Sequence, residues 1–236
     1  MSAPDKILSQ CDTFLFDCDG VLWNFHELLP GASEIINYLQ YTNRNIFLIT
    51  NNSTKSVEQY VDKCCKIGLS VTENNIVCSA NVIADYLHSH GVSGPLYVIG
   101  EAGIGSELDK RNITHFGIGP DISPTDNLLS EISLNPELLK ATSYIARGLP
   151  FYATNEDAQL PADEFVHPGN LFTNQQHRPC FNRFVHNTGT GSLVAAVKFA
   201  SGKDPIVMGK PHKPTFDFLC RLHNLNPSRT LMVGDR

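Results

Sequence analysis

The stretch Phe14-Leu15-Phe16-Asp17-Cys18-Asp19-Gly20-Val21 decides the fold, because an apolar run ends there in two carboxylates and a glycine. An apolar run bounded by glycine predicts a buried strand that ends in a turn. Unpaired carboxylates on a dry strand would each cost several kcal/mol. A hard cation such as Mg²⁺ between Asp17 and Asp19 would remove that cost and leave room for phosphate. The alternative is an ordinary strand end with two solvated acids.

Three further apolar runs end in polar residues in the same way. They lie at 45–49, 205–208 and 230–233, and Thr50, Lys210 and Asp235 stand at or just beyond their ends. Ligands of open α/β sheets bind outside the carboxyl ends of the strands. We therefore expect the four runs to converge on one sheet edge. Three acids, a hydroxyl and a cation would then meet, and these are the groups that phosphoryl transfer requires.

Strand-like and helix-like segments alternate over the first part of the chain. Short apolar runs at 14–17, 46–50 and 76–78 predict strands, and an amphipathic stretch follows each of them. This alternation favours an α/β fold with a doubly wound parallel sheet. The run at 230–233 is expected to supply a strand near the middle of that sheet.

The amphipathic stretches have predictable ends and faces. Ser53 or Thr54 is expected to cap the second helix, and Gly68 to end it. Ser79 is expected to cap the third. The first helix is expected to place four side chains on its apolar side, namely Ile35, Ile36, Leu39 and Tyr41.

The alternation breaks near 92–95, and motif residues return only at Lys210. We therefore predict a catalytic core formed by 1–92 and 205–236, with an inserted α/β cap at 93–204. The cap is expected to begin with a strand at 96–99, a helix at 103–110 and a strand at 114–116. Its glycine clusters lack the Lys-Ser/Thr sequel of a nucleotide P-loop, which favours loop and helix-start glycines.

Composition narrows the class of protein. The 236 residues carry a net charge of −6, are 42% hydrophobic and show no basic stripe, which argues against a nucleic-acid partner. No apolar segment approaches a membrane span, so we expect no membrane partner and a cytoplasmic location. The seven cysteines lack CxxC spacing and are expected to be reduced. For Cys18, packing is favoured over a redox role.

Four motifs together resemble those of haloacid dehalogenase-type phosphatases. They are Phe16-Asp17-Cys18-Asp19-Gly20-Val21-Leu22-Trp23, Ile49-Thr50-Asn51-Asn52-Ser53, Gly209-Lys210-Pro211 and Val233-Gly234-Asp235-Arg236. The chain is most similar to the phosphoglycolate, pyridoxal-phosphate and 4-nitrophenyl phosphatase branch, which carries a large α/β cap. A lone Asp-x-Asp is a weak signal, but the four motifs in this order are specific.

The resemblance implies a mechanism. Asp17 would attack phosphorus, and Asp19 would protonate the departing alkoxide and then take a proton from the hydrolytic water. Asp19 would also offer its backbone carbonyl to Mg²⁺. The implied roles are catalytic for Asp17 and Asp19, substrate-binding for Thr50, Asn51, Asn52 and Lys210, and metal-binding for Asp17, Asp19 and Asp235.

The expected activity is Mg²⁺-dependent hydrolysis of small phosphomonoesters through an aspartyl-phosphate. The partner would be a small phosphorylated metabolite: phosphoglycolate, glycerol 3-phosphate and pyridoxal phosphate remain open, with 4-nitrophenyl phosphate as an artificial substrate. A phosphomutase and a catalytically silent fragment or scaffold of the same fold are the alternatives. A homodimer formed through the cap is a further candidate assembly.

Three segments depart from the family pattern. Residues 134–137 run straight into a helix where related caps carry a strand, and 165–187 form a longer connection. The spacing of His167, His177 and His186 in that connection fits no zinc pattern, so a polar loop is favoured over a metal site. The family pattern also continues beyond the last motif. We therefore expect residues 1–236 to be a fragment or degenerate copy, less stable and less active than an extended chain.

Overall fold

The computed structural model describes residues 8–119, 136–158 and 189–235. Its strands are β1 (Thr13–Asp17), β2 (Trp23–Asn24), β3 (Glu27–Leu28), β4 (Asn45–Thr50), β5 (Ile76–Cys78), β6 (Leu96–Gly100), β7 (His115–Ile118), β8 (Tyr152–Ala153), β9 (Ile206–Val207) and β10 (Thr230–Val233). Its helices are α1 (Ala32–Tyr41), α2 (Val57–Lys66), α3 (Ser79–Ser89), α4 (Ala102–Asp109), α5 (Pro136–Ala146), α6 (Thr190–Ser201) and α7 (Lys213–His223). Two 3₁₀ turns, Glu73–Asn75 and Pro227–Arg229, precede β5 and β10.

A four-stranded parallel sheet forms the centre of the molecule, with the order β10-β1-β4-β5. The predicted α/β class and parallel sheet are confirmed. β1 lies between β10 and β4, with Phe16 paired to Val233 on one side and to Leu48 on the other. The expected central position of 230–233 is wrong for the described strands, because β1 takes the inner place and β10 pairs with it from the outside.

The helices follow the predicted alternation, with three differences. Cys78, rather than Ser79, is the N-cap residue of α3, and the Ser79 hydroxyl donates to the Asn51 carbonyl instead. Tyr41 is 87% exposed, because it stands two residues after the buried Leu39, about 200° around the helix. Ser56, rather than Ser53 or Thr54, caps α2: its Oγ accepts the Gln59 N–H at 3.3 Å, and the Gln59 Oε1 accepts the Ser56 N–H at 2.8 Å. This capping box leaves 51–55 as a loop between β4 and α2.

The run predicted at 205–208 does not join the main sheet. β9 instead pairs in parallel with β8, with Tyr152 opposite Ile206 and Ala153 opposite Val207. β8 lies within the residues assigned to the cap, 93–204, so a short ladder links that segment to the returning core. The division into core and cap itself stays a prediction.

The unit β6-α4-β7 packs against the main body through apolar side chains. Ile104, Leu108 and Ile113 belong to the same hydrophobic cluster as the strands of the central sheet. Gly103 permits a close approach, since a Cβ there would stand 2.5–2.6 Å from backbone atoms of Thr54 and Lys55. α4 therefore rests directly on the loop that follows β4.

A buried carboxylate fixes this contact. Glu107 on α4 is 1% exposed, and its Oε1 accepts hydrogen bonds from the Val57 N–H and the Lys110 Nζ, both at 2.8 Å. Arg111 lies 3.7 Å from the other oxygen. Glu107 thus satisfies an otherwise unpaired N–H in the first turn of α2 and is compensated by two cations.

Replacing Glu107 by alanine should lower the free energy of unfolding by about 3 kcal/mol, because a buried ion pair loses one partner. This loss is at the lower end of the range for broken buried ion pairs, since the Lys110 side chain is 33% exposed and stays partly solvated. Urea denaturation followed by circular dichroism measures the effect. Lys198→Ala is the control, because its pair with Asp204 lies at the surface and should contribute little to stability. Equal midpoints for the two variants would contradict the assignment.

Some expectations cannot be compared with the structure. His167, His177, His186 and the connection 165–187 lie outside the described residues, as do Leu134 and Asn135. The helix expected near Leu138 is confirmed as α5. Within 8–119, 136–158 and 189–235, no helix has the length and apolar character needed to cross a membrane.

Candidate active site

The end of β1 carries an ion pair between Asp17 and Lys210. The Lys210 Nζ lies 2.6 Å from the Asp17 Oδ1, and the same oxygen accepts the Cys18 N–H at 2.8 Å. The ammonium also donates to the Ile49 carbonyl at 3.2 Å, and Ile49 is the β4 residue paired with Asp17. Lys210 therefore bridges the ends of two neighbouring strands, with both side chains of the ion pair partly exposed.

Asp19 is held separately from this pair. Its Oδ1 accepts the indole N–H of Trp23 at 2.9 Å, and its Oδ2 accepts the Thr50 hydroxyl at 3.4 Å. Trp23 is fully buried, and the Lys63 ammonium lies 4.5 Å from its ring centroid. A rigid indole therefore orients the second carboxylate, while Asp17 is oriented by Lys210.

The end of β4 and the loop after it bring the three predicted phosphate-binding residues to this edge, where they make protein contacts. The buried Thr50 hydroxyl accepts the Asn52 N–H at 3.1 Å and donates to Asp19. The Asn52 Oδ1 accepts the N–H and the hydroxyl of Thr54 at 3.0 and 2.7 Å, which shapes the turn. The Asn51 side chain makes hydrogen bonds with the carbonyl and the N–H of Lys210. Their roles in phosphate binding stay predictions.

Asp235 lies over the glycine of the first motif. A Cβ on Gly20 would stand 3.2 Å from the Asp235 Oδ2, and Gly20 has φ +83°, so both space and backbone conformation favour glycine. A Cβ on Gly234 would stand 4.0 Å from the Asp17 Oδ2. The Asp235 carboxylate therefore lies beside Gly20 and the Asp17 carboxylate faces Gly234. Carboxylate oxygens are donors that Mg²⁺ takes.

The predicted metal ligands do not form a cluster of three acidic side chains. In the described part of the chain, no group of three or more His, Cys, Asp or Glu side chains is arranged to hold a metal ion. The Asp19 carboxylate is occupied by Trp23 and Thr50, which leaves its backbone carbonyl as its predicted contribution. The carboxylates of Asp17 and Asp235 therefore remain the predicted side-chain ligands, and the backbone carbonyl of Asp19 stays a predicted ligand as well.

Cys18 stands between the two acids but is not a reactive thiol. It is 1% exposed, and its pKa is raised well above the usual value, first by burial and then by the charges of Asp19 and Asp17. The thiol therefore stays protonated and packs into the core, as the sequence indicated. The six cysteines within the described residues are all free.

The expectation that all four runs end at one sheet edge is correct for three of them. Lys210 arrives from the separate β8–β9 pair, although its ammonium reaches Asp17. The polar residues that follow β8 were not predicted. Phe151-Tyr152-Ala153 ends in Thr154-Asn155, the same pattern of an apolar run with polar residues at its end, and this signal could have identified them.

Comparison with known families agrees with this geometry. A family model described as haloacid dehalogenase-like hydrolase matches residues 14–114, and a second, described as HAD-hydrolase-like, matches residues 207–236. The two matched segments contain all seven predicted site residues. The chain belongs to the haloacid dehalogenase-like hydrolase family.

Its curated relatives include several phosphatases. A glycerol-3-phosphate phosphatase of Rattus norvegicus is 31% identical, over 98% of this chain and 74% of that protein. A chloroplastic phosphoglycolate phosphatase of Arabidopsis thaliana is 33% identical, over 98% and 65%. A Caenorhabditis elegans protein described as a NipSnap protein is 35% identical over 98% of this chain but only 46% of its own length. The chain thus spans from about half to three quarters of these relatives.

Solved structures show the same fold. A 4-nitrophenylphosphatase of Thermotoga maritima matches with a TM-score of 0.75 and 22% identity, over 98% of this chain and 80% of that one. A glycerol phosphate phosphatase of Mycobacterium tuberculosis, in complex with magnesium, matches with a TM-score of 0.73 and 22% identity, over 98% and 63%. At these identities the likeness establishes the fold.

Proposed function

We propose that the chain catalyses Mg²⁺-dependent hydrolysis of small phosphomonoesters through an aspartyl-phosphate. The observation that carries the proposal is the 2.6 Å contact between the Asp17 carboxylate and the Lys210 ammonium at the end of β1. A second carboxylate, Asp19, stands two residues further on and is separately held. One acid beside a cation and one acid beside neutral donors suit two different roles.

Asp17 is the proposed nucleophile. Its carboxylate forms a bond to phosphorus while the bond from phosphorus to the alkoxide oxygen breaks. Two anions must approach each other in this step. Lys210, already in contact with Asp17, reduces that repulsion and can turn to a phosphate oxygen.

Asp19 is the proposed general acid and base. It gives its proton to the departing alkoxide, and later removes a proton from the water that attacks the acyl-phosphate. Phosphate then leaves and Asp17 is regenerated. The hydrogen bonds from Trp23 and Thr50 hold the Asp19 carboxylate in place through both steps.

Asp17, Asp235 and the backbone carbonyl of Asp19 would hold Mg²⁺. When bound, the ion would supply positive charge for the phosphate oxygens. Support comes from the oxygen-only donor set around Gly20 and Gly234, and from the magnesium complex of the Mycobacterium tuberculosis phosphatase.

The proposed substrates are short phosphomonoesters. The named activities of the relatives favour glycerol 3-phosphate and phosphoglycolate, and pyridoxal phosphate is a further candidate. 4-Nitrophenyl phosphate should serve as an artificial substrate.

Asp19→Asn tests the assignment of the general acid. Its kcat/KM for glycerol 3-phosphate should fall by about 10²–10⁴-fold, because the alkoxide leaves poorly without a proton. Nitrophenolate is a weakly basic leaving group, so 4-nitrophenyl phosphate should still give a burst of about one equivalent, followed by slow turnover as the acyl-phosphate persists. Stopped-flow absorbance and malachite-green phosphate assays measure the two quantities.

The unmodified chain is the reference in this experiment, and Asp62→Asn, an acid-to-amide change on α2, is the control for altered charge. Equal losses for both substrates with no burst would contradict the role of Asp19. Failure of the unmodified chain to release phosphate from either substrate would contradict the proposed function itself.

A further inference from the structure

We propose that Asn155 is a positioning residue that acts through Asn51 to fix Lys210 against Asp17. The inference deepens the proposed function and rests on it for its kinetic consequence. The geometry involves three segments that are far apart in sequence: the loop after β4, the end of β8 and the end of β9.

The side-chain amide of Asn51 makes two hydrogen bonds with the backbone of Lys210. Its Oδ1 accepts the Lys210 N–H at 2.7 Å, and its Nδ2 donates to the Lys210 carbonyl at 2.9 Å. A paired contact of this kind fixes both the position and the rotation of the lysine backbone. The origin of the Lys210 side chain is therefore set by Asn51.

Asn155 in turn holds the backbone of Asn51. Its Nδ2 donates to the Asn51 carbonyl at 2.7 Å, while its Oδ1 accepts the Asp157 N–H at 3.0 Å. Asn155 is 1% exposed. The bond to Asp157 fixes which end of the amide faces Asn51, so the donor cannot be exchanged for the acceptor without losing both contacts. The Ser79 hydroxyl is a second donor to the same carbonyl, at 2.5 Å.

The residue before the lysine is packed between the same groups. A Cβ on Gly209 would stand 2.7 Å from both the Asn51 Oδ1 and the Thr154 carbonyl, and 3.0 Å from the Asn155 Cβ. The Gly209 N–H donates to that Thr154 carbonyl at 2.8 Å. The end of β8 is therefore in direct contact with the chain that carries Lys210.

These contacts form a continuous path from Asn155 through Asn51 to the ammonium beside Asp17. A lysine side chain has four rotatable bonds between its carbon atoms. Any displacement of the Lys210 backbone therefore also displaces the ammonium group at the end of the side chain. A displacement of about 1 Å at a reacting group can cost about 100-fold in rate. Loss of the hydrogen bond from Asn155 should therefore change the position of the Lys210 ammonium.

The test uses two variants of Asn155 and one control. Asn155→Asp keeps the acceptor for Asp157 but cannot donate to Asn51 when ionised, and Asn155→Ala removes the amide without adding charge. Thr215→Val is the control, because it removes a buried hydroxyl bond to the Met208 carbonyl, one residue before Gly209, and leaves the contacts of Asn51 in place.

Two measurements are made on each protein. Steady-state kinetics with 4-nitrophenyl phosphate give kcat and KM separately. Competitive acetylation with acetic anhydride, read by peptide mass spectrometry, gives the reactivity of Lys210 relative to the exposed Lys203. Acetylation needs no turnover, so it tests the positioning even if the unmodified chain releases no phosphate, an outcome that would contradict the proposed function separately.

Both Asn155 variants should lower kcat by about 10–100-fold with a smaller change in KM, and should raise the relative acetylation of Lys210 several-fold. Thr215→Val should lower the melting temperature but change neither quantity. The proposal is overturned if both Asn155 variants keep the acetylation of Lys210 unchanged, if only Asn155→Asp has an effect, or if Thr215→Val reproduces the losses.

Discussion

Asp17→Asn is expected to lower kcat for phosphate release by at least about 10³-fold while the fold stays intact. The amide keeps the shape of the side chain and can still accept the Cys18 N–H, but it lacks the charge needed to attack phosphorus. The Lys210 ammonium also loses its ionic partner. Steady-state assays measure kcat, and circular dichroism and thermal melting check the fold.

Asp12→Asn is a matched control for this variant. Asp12 immediately precedes β1 and makes a partly exposed ion pair with Arg229, so its replacement should leave kcat unchanged and have little effect on stability. Rapid quench of the unmodified chain should show phosphate attached to Asp17. Activity of more than a few per cent in Asp17→Asn would rule out the nucleophile assignment.

Removal of Mg²⁺ is expected to have the second largest effect. Chelation with EDTA should abolish turnover, and added Mg²⁺ should restore it, because two carboxylates beside an incoming phosphate repel one another without a cation. Mg²⁺ should also raise the melting temperature. At a concentration 100 times its Kd, a bound ion stabilises the folded state by about 2.7 kcal/mol.

Asp235→Asn should weaken both effects of Mg²⁺, with a higher metal concentration needed for half-maximal activity and a smaller shift in melting temperature. Asp204→Asn removes the same charge from an exposed ion pair and should leave the response to Mg²⁺ unchanged. Phosphatase activity that survives EDTA in the unmodified chain would reject the metal requirement.

The sequence predicted those parts of the molecule that local pattern determines. Apolar runs of three to six residues bounded by glycine or polar residues identified β1, β4, β5 and β10, and the polar residues at the ends of three of them marked the candidate site. A buried strand needs continuous apolar side chains, so a carboxylate at its end is visible in the sequence. The places of Asp17, Asp19, Thr50 and Asp235 at or just beyond strand ends were predicted in this way.

The parts that were missed depend on contacts between distant segments. In the sequence, Glu107 looks like an ordinary acidic residue on a helix. No neighbouring residue in the sequence indicates that its carboxylate accepts the N–H of Val57. β8 and β9 have two residues each, too few for periodicity to reveal their pairing. Asn155 likewise gains its role from Asn51, 104 residues away. Tertiary packing decides such positions.

The hydrogen bonds between Asn51 and Lys210 join residues 159 positions apart. This separation has a consequence for the order of events while the chain is synthesised. A ribosome that adds 5–20 residues per second needs about 10–30 s to pass from one to the other. During that time both aspartates of the first motif are present without their lysine. Closing so long a loop is also slow. Catalytic competence during refolding should therefore trail the recovery of helical ellipticity, which makes enzyme activity a reporter of the last tertiary contacts to form.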